Sequence, residues 1–445
     1  MNLEQNCLKT QLKQRLSWFL FVFGITTTVG AADDIPSQLK DLIEMNDQLM
    51  SLVQEQQEQI NNLRLRLDEL DETDSQQAVE IMEIRDEVDL IDNLEPSAPP
   101  SNRIVISGEA GIEYFAGESD AEFSNEEFRI GESRIFLEAE VANNIYFSTT
   151  IELFRRESSN SDVEVGEVYV DVENLFGLDR LATARVGRFQ IPFGQEYLNR
   201  YVFENPLVSH SVADIMGIDE GVEVFGSAND FSYTLAVMNG GKSSLRDFDS
   251  GKAYIARFGY NPGENLVFHA SFMDTGDIAV VGDEATELWV SDTRFRSIGS
   301  EGTSEFDVKL AQIDGLYEWG GGSLKVALGE ASYNDNDPLG GNQRDFDFYQ
   351  IELQQNFQES VYGVVRFSEL TVNDGYLLAG NGDPEIFLRS GVFTEELSRL
   401  SLGVGYMPFE NVIAKIEYSY EDGEHTDGST RENADQFSAE LGVRF

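Results

Sequence analysis

The chain has 445 residues, with 81 acidic against 31 basic side chains and a net charge of −50. That balance argues against a nucleic-acid partner, because phosphate binding needs Lys and Arg. One Cys and three His rule out a disulfide framework and leave little for a metal centre, so neither a metal nor a cofactor is expected.

Residues 1–32 read as a secretory signal. Lys9, Lys13 and Arg15 precede an apolar run from Leu16 to Val29, and Gly30-Ala31-Ala32 offers a small-residue cleavage site. The run is shorter than the roughly 20 residues a helix needs to span a bilayer. Residues 33–95 then change character, with no Gly and no aromatic residue. At alternating steps of three and four from Leu39 to Ile91, twelve of sixteen positions are apolar, which predicts a heptad seam and a coiled coil. Asn46 and Gln56 fall on the seam as register markers, and the pattern leaves the number of helices open. Pro96, Pro99 and Pro100 make residues 96–101 a stiff linker.

From residue 102 to 445 the period becomes two. Phe437, Ala439, Leu441, Val443 and Phe445 alternate with Gln436, Ser438, Glu440, Gly442 and Arg444. Sixteen such stretches are predicted, near 103–115, 127–141, 145–155, 163–172, 181–188, 221–228, 231–239, 252–260, 266–274, 307–318, 323–333, 345–357, 360–370, 398–407, 411–420 and 436–445. Short turns such as Asn143-Asn144 and Asn229-Asp230 take turns with longer polar segments such as 189–220 and 275–306. Short turns at one rim and long loops at the other predict an all-β transmembrane fold, a 16-stranded antiparallel outer-membrane β-barrel. An even strand count puts both barrel ends on the short-turn, periplasmic side, and the coiled coil with them. Aromatics near strand ends, such as Tyr114-Phe115 and Tyr418 with Tyr420, fit interfacial girdles. The terminal Phe445 resembles an outer-membrane assembly signal. The expected location is the outer membrane of a Gram-negative bacterium, with membrane lipid and the assembly machinery as partners.

Residues 184–241 carry a family resemblance. Gly187-Arg188-Phe189, Pro192-Phe193-Gly194, the loop through His210, Asp219-Glu220-Gly221-Val222 and Asn239-Gly240 resemble the phosphate-selective porin O/P family. The resemblance implies a homotrimer of sixteen-stranded pores, each narrowed by an inward-folded third loop. On that loop Gln195, Glu196, Asn199, Arg200, Glu204 and His210 are the expected constriction residues, with Tyr197, Tyr201 and Phe203 pinning it to the wall. The family's phosphate-specific members line their pores with ladders of Arg and Lys, and no such ladder can be traced here, so the resemblance points to a porin more than to phosphate.

Sixteen strands leave a water-filled lumen, and selectivity follows from the charges that face it. Alternation turns Arg134, Arg185, Arg257, Lys325 and Lys415 inward as lumen wall, together with Glu138, Glu152, Glu167, Asp171 and Glu223. Glu109, Glu113, Glu140, Glu417, Glu440 and Arg444 follow by the same rule, while Arg188 sits where the pattern breaks. Asn334-Asp335-Asn336-Asp337 offers oxygens suited to Ca²⁺ but lacks the spaced Gly and distal Glu of a calcium loop. No Ser-His-acid set can be assembled, so no enzyme is expected. The function expected is passive diffusion of small hydrophilic solutes and ions, general or cation-preferring on one reading and anion- or phosphate-selective on another. The rival is an envelope tether. A coiled coil of this length would reach roughly 80 Å toward the cell wall, with the barrel as anchor.

Overall fold

Strands with one apolar and one polar face bury neither side alone, and an open sheet would leave an edge of unpaired backbone groups. The computed structural model resolves this by closure. It describes residues 104–445 apart from 120, 122, 132, 154–162, 199–200, 241–246, 248, 280–287, 291–292, 296–302 and 377–391. The expected signal segment, coiled coil and linker lie outside the described residues.

Sixteen strands form the barrel. They are β1 (Ile104–Gly117), β2 (Glu127–Ile130 and Ser133–Ala142, either side of an irregularity), β3 (Ile145–Leu153), β4 (Val163–Val172), β5 (Thr183–Gln190) and β6 (Ile218–Ala228). Then come β7 (Phe231–Met238), β8 (Ala253–Gly263), β9 (Leu266–Asp274), β10 (Glu305–Trp319) and β11 (Gly322–Asp335). The last five are β12 (Arg344–Gln358), β13 (Val361–Tyr376), β14 (Thr394–Phe409), β15 (Val412–His425) and β16 (Gln436–Arg444). Each pairs antiparallel with its sequence neighbours, and β16 closes onto β1 from Glu109 opposite Arg444 to Gly117 opposite Gln436. Phe445 extends that seam, its N–H donating to the Gly108 carbonyl at 2.9 Å.

The short connections are tight because Asn144, Asn229 and Gly321 adopt left-handed φ values of 60°, 52° and 91°. The 173–182 connection is longer and holds two 3₁₀ turns, Leu175–Gly177 and Asp179–Leu181. Alternation gives the barrel its two faces. Ile112, Val186, Leu235, Ile313, Leu402 and Ile416 on the outside are 42% to 58% exposed, an apolar surface suited to lipid.

The inner face departs from the simple polar-inside pattern. Toward the long-loop end of β7–β14 it is apolar. Met238, Ile255, Met273, Leu310, Tyr333 and Phe346 form one buried cluster with Ile191, Phe193, Val212, Ala213 and Ile215 of the third loop. That stretch of wall is a packed core because the loop lies against it and excludes water. The loop's exit is held again outside the barrel sheet, where Ile215–Met216 pairs with Leu288–Val290 of the fifth loop.

Candidate functional site: the third loop inside the barrel

The third loop, residues 191–217, turns away from β5 at Pro192-Phe193-Gly194. Gly194 has a φ of 71°, a left-handed conformation that costs glycine nothing. Its N–H donates to Ser271 Oγ on β9 at 3.2 Å, four strands from the loop's origin. Further along, Tyr201 meets Phe136 of β2 edge-on at 5.5 Å, and its hydroxyl donates to Glu167 Oε2 on β4 at 3.3 Å. The Val202 N–H donates to Glu109 Oε1 on β1 at 3.3 Å, and the Val212 N–H to Ser368 Oγ on β13 at 3.1 Å. One segment that touches β1, β2, β4, β9 and β13 of a closed barrel runs inside it.

The tip of the loop, Asn205 to His210, is clamped against β13–β15. Arg366 on β13 donates to the Ser209 carbonyl at 2.8 Å and Asn205 Oδ1 at 2.9 Å, and its Nε donates to Glu352 on β12 at 2.7 Å. Arg399 on β14 donates to the His210 carbonyl at 3.1 Å and to Glu421 at 2.9 Å. Lys415 on β15 donates to the Leu207 carbonyl at 3.2 Å and pairs with Glu440 at 2.7 Å. Glu417 accepts from the N–H groups of Val208 and Ser209, both at 2.8 Å, and from Ser209 Oγ at 2.5 Å. The Tyr362 hydroxyl donates to the Pro206 carbonyl at 3.0 Å. Two wall glycines make room: a Cβ at Gly403 would strike Leu207, and one at Gly442 would strike Val202. The basic side chains here are almost sealed, with Arg366 and Lys415 only 4% and 3% exposed. Hydrogen bonds to charged groups each contribute about 1.5–3 kcal/mol, so the clamp is strong. The eighth loop reinforces it, since Arg431 donates to Glu421 Oε1 and to Thr394 Oγ1, both at 3.0 Å.

The opposite side, β2–β6, carries charges on the same inner face but is not covered in this way. Arg134 lies 4.6 Å over the Tyr201 ring and 3.7 Å from Glu152. Arg185 binds Asp171 through two hydrogen bonds of 2.7 and 2.9 Å, stands 3.4 Å from Glu223 and lies 4.0 Å over Tyr169. Glu138 and Glu140 share this face, opposite Ser148 and Tyr146, and Glu138 is exposed. Between the two sides, Arg257 on β8 is 3.6 Å from Asp314 and 5.3 Å from the centre of the Tyr197 ring, and His269 Nδ1 is 3.0 Å from Asp314.

Among the loop residues singled out from the sequence, Gln195 is buried and Glu204 is exposed, while Asn199 and Arg200 lie outside the described residues. Glu196 bonds the Ser211 hydroxyl and accepts from its N–H at 3.2 Å. Burial and the Asp214 carboxylate hold Glu196 above the usual carboxylate range. His210 Nδ1 is 4.0 Å from Asp214. On the wall, Lys325 pairs with Glu352 at 3.0 Å. Arg188 lies opposite Val168 and Glu220, on the face away from buried Phe189, so it points out of the barrel.

Sequence reading did not single out Arg366, Arg399, Glu352, Arg431 or Asp314. On β13 both faces are apolar, with Val364 beside Arg366 inside and Val365 and Phe367 outside, so polarity alone gives Arg366 no direction. The signal that would have found it is register: Arg366 is opposite Glu352 on one side and Ser401 on the other.

No family model and no curated protein sequence matches the chain. Solved structures do. The outer-membrane protein OmpT of Vibrio cholerae, in its trimer form, is 14% identical with a TM-score of 0.51, over 77% of this chain and 99% of that one. The outer-membrane channel DcaP of Acinetobacter baumannii is 9% identical with a TM-score of 0.53, over 77% of this chain and 97% of that one. At such identities the likeness is one of fold: this chain is a closed, sixteen-stranded antiparallel barrel of the outer-membrane type.

Proposed function

We propose that the chain is a porin of a Gram-negative outer membrane, through which small hydrophilic solutes and ions diffuse passively. The observation that carries this reading is the third loop. It crosses the interior of a closed barrel, seals its tip against β13–β15, and leaves charged side chains of β2–β6 in contact with water. A wet, charged, narrowed passage through an apolar-jacketed barrel is what a diffusion channel requires. On this reading the loop residues Gln195, Glu196, Glu204 and His210 and the inner-face residues from Arg134 to Lys415 belong to the constriction and its walls. The resemblance of residues 184–241 to the phosphate-selective porin O/P family supports the porin reading. Phosphate selectivity itself has no traced ladder behind it. The trimer form of the similar Vibrio cholerae protein supports a homotrimer, and the heptad pattern of residues 33–95 supports a periplasmic coiled coil.

The test is planar-bilayer recording of the purified full-length protein in KCl. Discrete conductance steps are expected. Well-folded protein that inserts without giving steps would overturn the reading.

A further inference from the structure

The two sides of the interior differ in how their bases are disposed of, and that difference bears on which ions cross. On the open side each described arginine of the inner face is already matched twice. Arg129 lies 4.4 Å over Phe123 and 3.4 Å from Glu127. Arg134 lies over Tyr201 beside Glu152, and Arg185 lies over Tyr169 between Asp171 and Glu223. An aromatic face screens one side of each guanidinium while a carboxylate cancels its charge. On the clamped side Arg366, Arg399 and Lys415 are buried and spent on Glu352, Glu421, Glu440 and the backbone carbonyls of the loop tip. Two inner-face carboxylates of β2 have no such match. Glu138 and Glu140 make no ion pair among the described residues, and Glu138 is exposed to water.

We infer that the passage along β2–β6 is a cation path whose selectivity is set by Glu138 and Glu140, the arginines beside them being neutralised in place. This rests on the porin reading and deepens it. A fixed charge acts on a passing ion only where it is not already balanced and where water, not protein, lies in front of it. Counting Arg against Glu around the wall would therefore misjudge the field, because Arg134, Arg185, Arg257, Lys325 and Lys415 are bound to carboxylates, whereas Arg444 of β16 is exposed and gives its Nε–H to the Glu410 carbonyl.

The experiment is the zero-current potential of the full-length protein in planar bilayers across a KCl gradient. The wild type is expected to favour K⁺, and the double variant E138Q/E140Q to lower the K⁺ over Cl⁻ permeability ratio about three- to fivefold. Lys309→Gln, on the outer face, is expected to leave the ratio unchanged. Circular dichroism and heat-modifiable gel migration establish that each variant is folded. A wild-type potential favouring Cl⁻ overturns the inference and leaves the porin reading standing, whereas the absence of channel steps removes the porin reading itself. Arg200 →Gln guards against a base outside the described residues. If the wild type favours Cl⁻ and R200Q alone reverses it, that arginine sets selectivity and the inference falls. An unchanged ratio in E138Q/E140Q overturns it as well.

Discussion

The inner faces of β2–β6 and β12–β15 start from the same chemistry and end in different states. Both carry arginine or lysine opposite a carboxylate on the neighbouring strand, Arg185 with Asp171 on one side and Arg366 with Glu352 on the other. The first pair keeps partial access to water, with 23% and 18% of the side chains exposed. The second is sealed at 4% and 1%. What separates them is the stretch Asn205–His210, whose carbonyls accept from Arg366, Arg399 and Lys415. A charge ladder in the wall is thus either a passage lining or a socket, according to what lies against it.

The largest way to break the contrast is Arg366→Ala. It removes a partner of buried Glu352 and two anchors of the loop tip, and loss of one member of a buried pair costs about 3–5 kcal/mol. A lowered thermal midpoint on heat-modifiable gels and a larger, noisier single-channel conductance are expected. Glu417→Gln comes next. It takes the charge from an acceptor of three hydrogen bonds at the tip, with an expected loss of about 1.5–3 kcal/mol and brief conductance fluctuations rather than a permanently wider channel. If neither variant alters channel noise, the tip is not the element that closes that side.

Glu196 sharpens the comparison through pH. Its folded-state pKa is raised by burial and Asp214, so the stability it lends the loop is complete at low pH and fades as pH rises above the ordinary carboxylate range. Loop-related noise should grow with rising pH, and the dependence should flatten in Glu196→Gln. The smallest expected effect is Tyr201→Phe, which removes a 3.3 Å hydrogen bond to Glu167 but keeps the ring beneath Arg134. A loss of about 0.5–1.5 kcal/mol in unfolding free energy is expected, with channel selectivity unchanged. A change in selectivity would mean that the ring no longer holds Arg134.

Strand existence was readable because most strands repeat with period two, and the phase of short and long connections indicated a barrel. Boundaries moved by a few residues. The sixth strand begins at Ile218, not near 221, because Gln190 pairs with Ile218 and carries the ladder back toward the loop. The interior was less readable. Alternation says which residues share a face, but Met238, Tyr333 and Phe346 also occupy the inner face, and only the third loop's Phe193 and Val212 explain why apolar side chains belong there.

By itself, the sequence determined that the chain after residue 102 is an antiparallel barrel of sixteen strands, because side-chain period and connection length are local properties. The family resemblance carried by residues 184–241 also marked a third loop between Phe189 and Glu220. The tertiary structure decided the rest. Where the loop lands depends on contacts between residues more than 150 positions apart, such as Arg366 with Ser209 and Lys415 with Leu207. Whether a charge is spent or available depends on those contacts, and no local pattern records them.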